Sequence, residues 1–192
     1  MKRIGVLALQ GAFAEHVAVL KGLGVEAFPV RLPEEMDELD GLVIPGGESS
    51  SMTILLDAYA LRDKVTTLAR GNFPILGTCA GMILLAKEAS GLQQPPLGVM
   101  DIGVKRNAFG RQVDSFETDL AIPVLGEAHF HAVFIRAPLI DRVGPSVEVL
   151  AKLPSGEVVA AQQGNLVVAA FHPELTPDTR FHQYFVRMAE GP

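Results

Sequence analysis

Short apolar runs alternate with amphipathic stretches through the first half of the chain. Ile4–Leu9, Val25–Val30, Gly41–Ile44 and Pro74–Leu76 are β-branched or apolar and bounded by Gly or Pro, which predicts buried strands. Between them, Phe13, Val17 and Leu20 fall at i, i+4 and i+7. Met52, Leu55, Leu56 and Tyr59 fall at i, i+3, i+4 and i+7, so each set marks one face of a helix. A third helix is predicted over Asp63–Arg70, closed by Gly71, and a fourth, apolar one over Met82–Lys87. Strands that alternate with helices require right-handed crossovers and a parallel sheet covered on both faces.

The second half changes character. Ala128–Arg136, Val147–Leu153, Glu157–Gln162 and Leu166–Phe171 read as consecutive strands, the last two joined across Gly164-Asn165 as a hairpin. A closing helix puts Phe181, Tyr184, Phe185 and Met188 on one stripe. The expectation is a three-layer α/β fold, a mostly parallel central sheet with an antiparallel extension.

Composition narrows the function classes. The 192 residues are 48% hydrophobic and contain no repeat or low-complexity tract, which predicts a single compact domain over residues 1–192. Sixteen basic residues against 22 acidic ones, with no Lys/Arg cluster, argue against a nucleic-acid partner. The apolar run after Met1-Lys2-Arg3 is too short for a secretory signal, and no segment approaches the roughly 20 residues needed to cross a bilayer. One cysteine cannot form an internal disulfide, which suits a reducing cytoplasm.

That cysteine lies in Gly77-Thr78-Cys79-Ala80-Gly81, directly after a predicted strand and before an apolar helix. Gly-x-nucleophile-x-Gly is the spacing of a nucleophile elbow, a turn so tight that the flanking side chains must be absent. At the helix N-terminus the helix dipole favours thiolate, the reactive form of the group. Taken by itself, a lone cysteine also fits a small buried hydrophobe.

A thiol nucleophile needs a base and the base needs an orienter. Phe171-His172-Pro173-Glu174 offers both: in an extended segment His172 and Glu174 point the same way, so the carboxylate can hold one imidazole nitrogen while the other faces Cys79. Pro45-Gly46-Gly47-Glu48-Ser49 follows a strand and can present backbone N–H groups to an oxyanion, or form a turn with Ser49 capping the next helix. Gln10-Gly11 occupies the equivalent junction of the first unit. These junctions gather at the carboxyl edge of the parallel sheet, where open α/β folds bind ligands. His16 is assigned to the solvated side of its helix. His129 and His131 alternate on a strand without a third metal ligand, and His182 has no assigned role. No metal site is predicted.

With these segments in place, the chain resembles the class I (triad) glutamine amidotransferases, and among them the glutaminase subunits of pyridoxal 5'-phosphate synthase. The resemblance spans nearly the whole length. It rests on Leu9-Gln10-Gly11-Ala12, the Pro45–Ser49 and Gly77–Gly81 segments, Arg106-Asn107, Phe109-Gly110-Arg111-Gln112, Asp114-Ser115-Phe116-Glu117, Phe134-Ile135-Arg136-Ala137-Pro138 and Phe171–Glu174. It implies a flavodoxin-like α/β/α fold and hydrolysis of L-glutamine to L-glutamate and ammonia, with no cofactor. It implies Cys79, His172 and Glu174 as the triad. Gly47 and Ala80 would serve the oxyanion, with Gln10 and Gly11 nearby, and Gly47, Glu48, Ser49, Arg106, Ile135 and Arg136 would hold the substrate. It also implies a (β/α)-barrel synthase subunit as partner in a large hetero-oligomeric complex that receives the ammonia, and a cytoplasmic location. An amidotransferase serving another biosynthesis, or a non-enzymatic protein that keeps the elbow cysteine, are the alternatives.

Overall fold

The computed structural model describes residues 1–109 and 115–191, so Gly110, Arg111, Gln112 and Asp114 of the motifs above lie outside the described residues. Five strands form the parallel half of the main sheet: β1 (Arg3–Leu7), β2 (Glu26–Val30), β3 (Gly41–Ile44), β4 (Ile75–Thr78) and β12 (Leu166–Ala169). Their order is β2-β1-β3-β4-β12, and every neighbouring pair is parallel. The chain moves one way along the sheet from β1 to β2 and the opposite way from β3 to β4. Right-handed crossovers therefore put the intervening helices on opposite faces. α1 (Phe13–Gly22) makes the first crossover. α2 (Ser49–Ala58) and α3 (Leu61–Arg70) make the crossover from β3 to β4, and α2 packs on α3 and on α4 (Ala80–Leu85). α5 (Arg180–Glu190) packs beside α1 through His182 and His16.

Strands covered on both faces have no use for alternation, and β3, β4 and β12 are buried at every position. Ile4, Val6, Leu42, Ile44, Ile75, Leu76, Val167 and Val168 have no exposed surface. Each such side chain contributes about 1.5–3 kcal/mol of burial free energy. Beyond β12 the sheet turns antiparallel through β11 (Val158–Gln163), β9 (Leu139–Val143) and β6 (Met100–Lys105), and ends with β5 (Ala86–Ala89) parallel to β6. β10 (Glu148–Lys152) pairs with β11. The predicted hairpin forms, with Gln163 opposite Leu166 and Gly164 at φ +56° in the turn.

A separate two-stranded ribbon, β7 (Ser115–Leu120) and β8 (Phe130–Ile135), is fixed to the body by phenylalanines. Phe116 stacks on Phe134 with ring centroids 4.6 Å apart, Phe134 meets Phe171 at 5.7 Å, and Phe171 meets Phe181 at 5.3 Å. Such ring pairs add directional preference to plain burial, which holds the end of β8 over the sheet's carboxyl edge.

Several expectations are corrected. The fourth helix ends at Leu85, and Lys87 lies in β5. β5, β6, β7 and β9 were not anticipated, because charged or glycine positions such as Lys87, Asp101, Gly103 and Asp141 interrupt their apolar runs. Tyr59 is exposed at the end of α2, whose buried positions are Ser49, Met52, Thr53 and Leu56. Glu48, not Ser49, caps that helix, its carboxylate accepting from the backbone N–H groups of Ser50 and Ser51 at 3.1 and 2.6 Å. The stripe of α5 centres on Phe181, His182, Phe185, Val186 and Ala189, leaving Tyr184 and Met188 half-buried. His16 is completely buried, not solvated.

Candidate active site

The carboxyl ends of β1, β3, β4 and β12 lie side by side, and each leads into one of the predicted segments. At the end of β4, Cys79 adopts φ 50° and ψ −105°, a strained conformation for a residue with a side chain. The flanking glycines are steric necessities. A Cβ on Gly77 would meet the Gly81 carbonyl oxygen at 2.7 Å, and one on Gly81 would fall 2.0 Å from the Ile44 carbonyl oxygen. The elbow therefore brings the start of α4 against the end of β3, directly beside the Pro45–Ser49 strip. Cys79 is nearly buried, and its sulfur lies 4.0 Å from the Ile135 carbonyl oxygen at the end of the ribbon.

His172 follows β12, and its backbone N–H donates to the Val133 carbonyl of β8 at 2.8 Å, which ties the ribbon to His172. Its Nδ1 lies 2.7 Å from Glu174 Oε1, with Glu174 buried. The pairing is as expected, but the backbone is not extended throughout. His172 is close to extended at φ −105° and ψ 87°, and Pro173–Leu175 then forms a 3₁₀ turn. The turn swings the carboxylate back onto the preceding imidazole, so proximity comes from curvature rather than from a shared strand face.

Burial opposes a charge on His172, yet its contacts with Cys79 and Glu174 prevail and push its pKa up to about 10. The contacts with the sulfur and the carboxylate favour the imidazolium, and such a group can hand a proton to a leaving amine.

A cleft of about 550 Å³ opens over Cys79 and His172. Gly47, Glu48, Ser49, Ala80, Arg106, Ile135 and Arg136 all line it, as do Ile83, not singled out from the sequence, and Asn107, quoted there in a motif but given no role. Ile83 sits one turn after Cys79 on α4, a spacing that could have flagged it. Asn107 at φ 47° and Arg136 at φ 45° share with Cys79 the left-handed region that non-glycine residues avoid, so strain concentrates around this cleft. Gln10 and Gly11 do not line it but brace its wall. Glu48 N–H donates to Gln10 Oε1 at 2.6 Å, Ala12 N–H donates to the Gly46 carbonyl at 3.1 Å, and Gly11 at φ +93° leaves no room for a Cβ against Gly46.

Glu48 and Arg106 face each other across the cleft at 3.4 Å, and Arg106 also donates to the Gly91 carbonyl. Burial raises the Glu48 pKa, but the Ser51 and Ser50 N–H groups and the Arg106 guanidinium outweigh it, so the carboxyl is held below its ordinary range. An amino acid carries its ammonium and carboxylate on one carbon, so a reader of both ends needs an adjacent anion and cation. This pair supplies both.

His131 lies between Glu117 Oε2 at 2.6 Å and Asp119 Oδ1 at 2.8 Å on the exposed face of the ribbon, away from the cleft. Among the described residues no group of three or more His, Cys, Asp or Glu side chains could hold a metal ion, and no helix is long and apolar enough to cross a membrane.

Comparison with known proteins identifies the family. A pyridoxal 5'-phosphate synthase subunit PdxT from Herpetosiphon aurantiacus is 60% identical over 186 residues, covering 95% of this chain and 98% of that protein. A protein of the same name from Dehalococcoides mccartyi is 56% identical over 190 residues, covering 98% and 97%. A crystal structure described as a glutamine amidotransferase superposes with a TM-score of 0.91 at 49% identity, covering 97% of this chain and 98% of that one. The structure of PurLQS from Thermotoga maritima, 13% identical with a TM-score of 0.76 and covering 97% of this chain and 98% of that one, shares the fold. The profile of the SNO glutamine amidotransferase family matches residues 6–191, and the chain belongs to that family.

Proposed function

We propose that this protein is the glutaminase subunit of pyridoxal 5'-phosphate synthase and that Cys79, His172 and Glu174 carry its chemistry. The observation that carries the assignment of residues is the convergence of a strained elbow cysteine and a carboxylate-held imidazole on one cleft. Glutamine enters with its α-ammonium toward Glu48 and its α-carboxylate toward Arg106, aided by Arg136 and by the Gly47, Ser49 and Ile135 walls. Cys79 Sγ, its proton passed to His172, attacks the side-chain amide carbon. The oxyanion that forms is held by the backbone N–H groups of Gly47 and Ala80. The carbon–nitrogen bond breaks as the His172 imidazolium protonates the nitrogen, which releases ammonia and leaves a γ-glutamyl thioester. His172 then takes a proton from water as it attacks the thioester, and glutamate and the Cys79 thiol are restored.

Ammonia passes to the (β/α)-barrel synthase subunit without entering bulk water, where at neutral pH most of it would be protonated and unreactive. The bracing of the Gly46–Glu48 strip by Gln10 and Ala12 supports a control point: docking of the synthase rearranges the strip and completes the oxyanion site. The protein works in the cytoplasm. The test is labelling with the glutamine analogue 6-diazo-5-oxo-norleucine, which traps the attacking thiol. Label on Cys79, stimulated by the synthase subunit and lost in Cys79→Ala, is expected. Synthase-stimulated glutaminase activity that survives in Cys79→Ala would overturn the assignment.

A further inference from the structure

The triad does not end at Glu174. That carboxylate is fully buried, and its Oε1 is committed to His172. Its second oxygen, Oε2, lies 3.3 Å from His16 Nε2 on α1, the one basic group facing it among the described residues. His16 Nε2 also lies 3.2 Å from Thr78 Oγ1, the residue before the nucleophile, and the N–H points more nearly at that hydroxyl, reaching Oε2 at a bent angle. On the far side, His16 Nδ1 lies 2.9 Å from His182 Nε2 on α5. His16, Thr78 and His182 have essentially no exposed surface.

The hydrogen-bond inventory selects one arrangement of protons. If His16 carried its proton on Nδ1, a nitrogen lone pair would face the Glu174 carboxylate in a water-free interior. His182 would then hold an N–H on Nδ1, an atom that has no partner among the described residues. With the proton on His16 Nε2, an N–H faces Oε2 and Thr78. His182 Nε2 donates to His16 Nδ1, and the atom left without a partner is only an acceptor. Burial first, then the neighbouring His182 and His172, hold the His16 pKa well below its usual value, and burial holds that of His182 at about 4. Both rings are therefore neutral near pH 7. Oε2 has no hydrogen bond among the described residues, and the neutral His16 N–H at 3.3 Å is its electrostatic contact, one that leaves the carboxylate's charge to His172. The charged or titratable groups around Glu174 are thus His172 and Cys79 on the cleft side, and His16 and His182 from the two helices behind.

We propose that His16 is a positioning residue for catalysis: it anchors the second oxygen of Glu174, and His182 fixes the tautomer in which it does so. The anchor links α1 and α5 to the base, 166 residues apart in sequence, so that the sheet's helical face holds the orientation of His172. The proposal rests on the triad reading above.

The experiment compares His16→Leu, His16→Gln and His16→Asn, each in complex with the synthase subunit. A glutamine amide nitrogen can occupy the place of imidazole Nε2 and face Glu174. An asparagine amide reaches only the Nδ1 side, toward His182. His16→Leu and His16→Asn are expected to lower glutaminase kcat about 10-fold, the effect of losing one bent N–H contact to a buried charge, with KM unchanged. The titration midpoint of His172, followed by NMR with ¹⁵N-labelled histidine, is expected to fall by about one pH unit or more in both variants. His16→Gln is expected to restore most of both. Should His16→Leu fail to fold, the Gln-against-Asn comparison decides alone. A lowered melting temperature with wild-type kcat and an unmoved His172 midpoint would overturn the proposal, as would equal behaviour of the Gln and Asn variants. Cys79→Ala run in parallel separates the two claims. If it retains activity the triad reading fails, and if it is dead while the His16 variants behave as wild type, only the anchor fails.

Discussion

Gly46→Ala tests whether His172 is held as rigidly as the proposed chemistry requires. Gly46 has an ordinary backbone conformation, so alanine brings no conformational strain there. What it brings is a methyl group. Its Cβ would sit 2.6 Å from His172 Cε1, 3.2 Å from His172 Nδ1 and 3.3 Å from Cys79 Cβ. Ordinary contact begins near 3.4 Å, so the imidazole must retreat by about 3.4 − 2.6 = 0.8 Å. It cannot do so freely, because Glu174 grips Nδ1 at 2.7 Å and the Val133 carbonyl grips the backbone N–H at 2.8 Å. A displacement near 1 Å of a reacting group costs on the order of 10²-fold in rate. Synthase-stimulated glutaminase kcat should therefore fall roughly 10- to 100-fold. KM should change little, because the atoms the methyl meets first belong to His172 and Cys79 and not to Glu48 or Arg106. Steady-state ammonia release gives the rates, and a melting curve confirms that the variant is folded. A folded Gly46→Ala protein with kcat within about twofold of wild type would refute the picture of a pinned imidazole.

Three further outcomes follow from the same geometry. Gly81→Ala places a methyl 2.0 Å from a backbone oxygen that cannot rotate away, so it should destabilise the fold by several kcal/mol or prevent its recovery as soluble protein; near-wild-type melting would contradict the elbow packing. Arg106→Ala removes a cation from the cleft and should raise KM for glutamine about 10- to 100-fold with a smaller effect on kcat, whereas a kcat effect alone would place Arg106 in the reaction step. His172 has a folded pKa of about 10, above its unfolded value near 6.5. The stability its charge contributes is full below pH 6.5 and is lost as pH rises toward 10. The melting-temperature gap between wild type and His172→Gln should accordingly narrow across that window, and a gap that widens with pH would reverse the assignment of the ion pair.

Some features of this site are local in sequence and were legible there. The elbow depends on absent side chains at Gly77 and Gly81, and a spacing of two residues states that requirement directly. His172 and Glu174 are close enough in the chain for any compact backbone to bring them together, although the 3₁₀ turn that does so was not visible. The parallel half of the sheet was equally readable, because strands buried on both faces are short unbroken apolar runs. The antiparallel extension was legible in part: its Gly164-Asn165 hairpin and the strand before it were readable, but ribbon strand Ser115–Leu120 alternates polar and apolar residues and is completed only by its partner.

His16 shows the boundary between the two. Phe13, His16, Val17 and Leu20 fall at i, i+3, i+4 and i+7, and His182, Phe185, Val186 and Ala189 repeat the spacing on α5. The periodicity could have placed both histidines on buried faces. It could not have said that they meet, or that one of them reaches Glu174. A histidine on an apolar face is a cost until something receives its hydrogen bonds, and which groups receive them depends on how two distant helices lie on one sheet. The chain's local order therefore determined the elbow cysteine, its turn and the His172–Glu174 pair. Only the tertiary structure decided what stands behind them, because contacts between residues 16, 78, 174 and 182 exist only once the crossovers have closed.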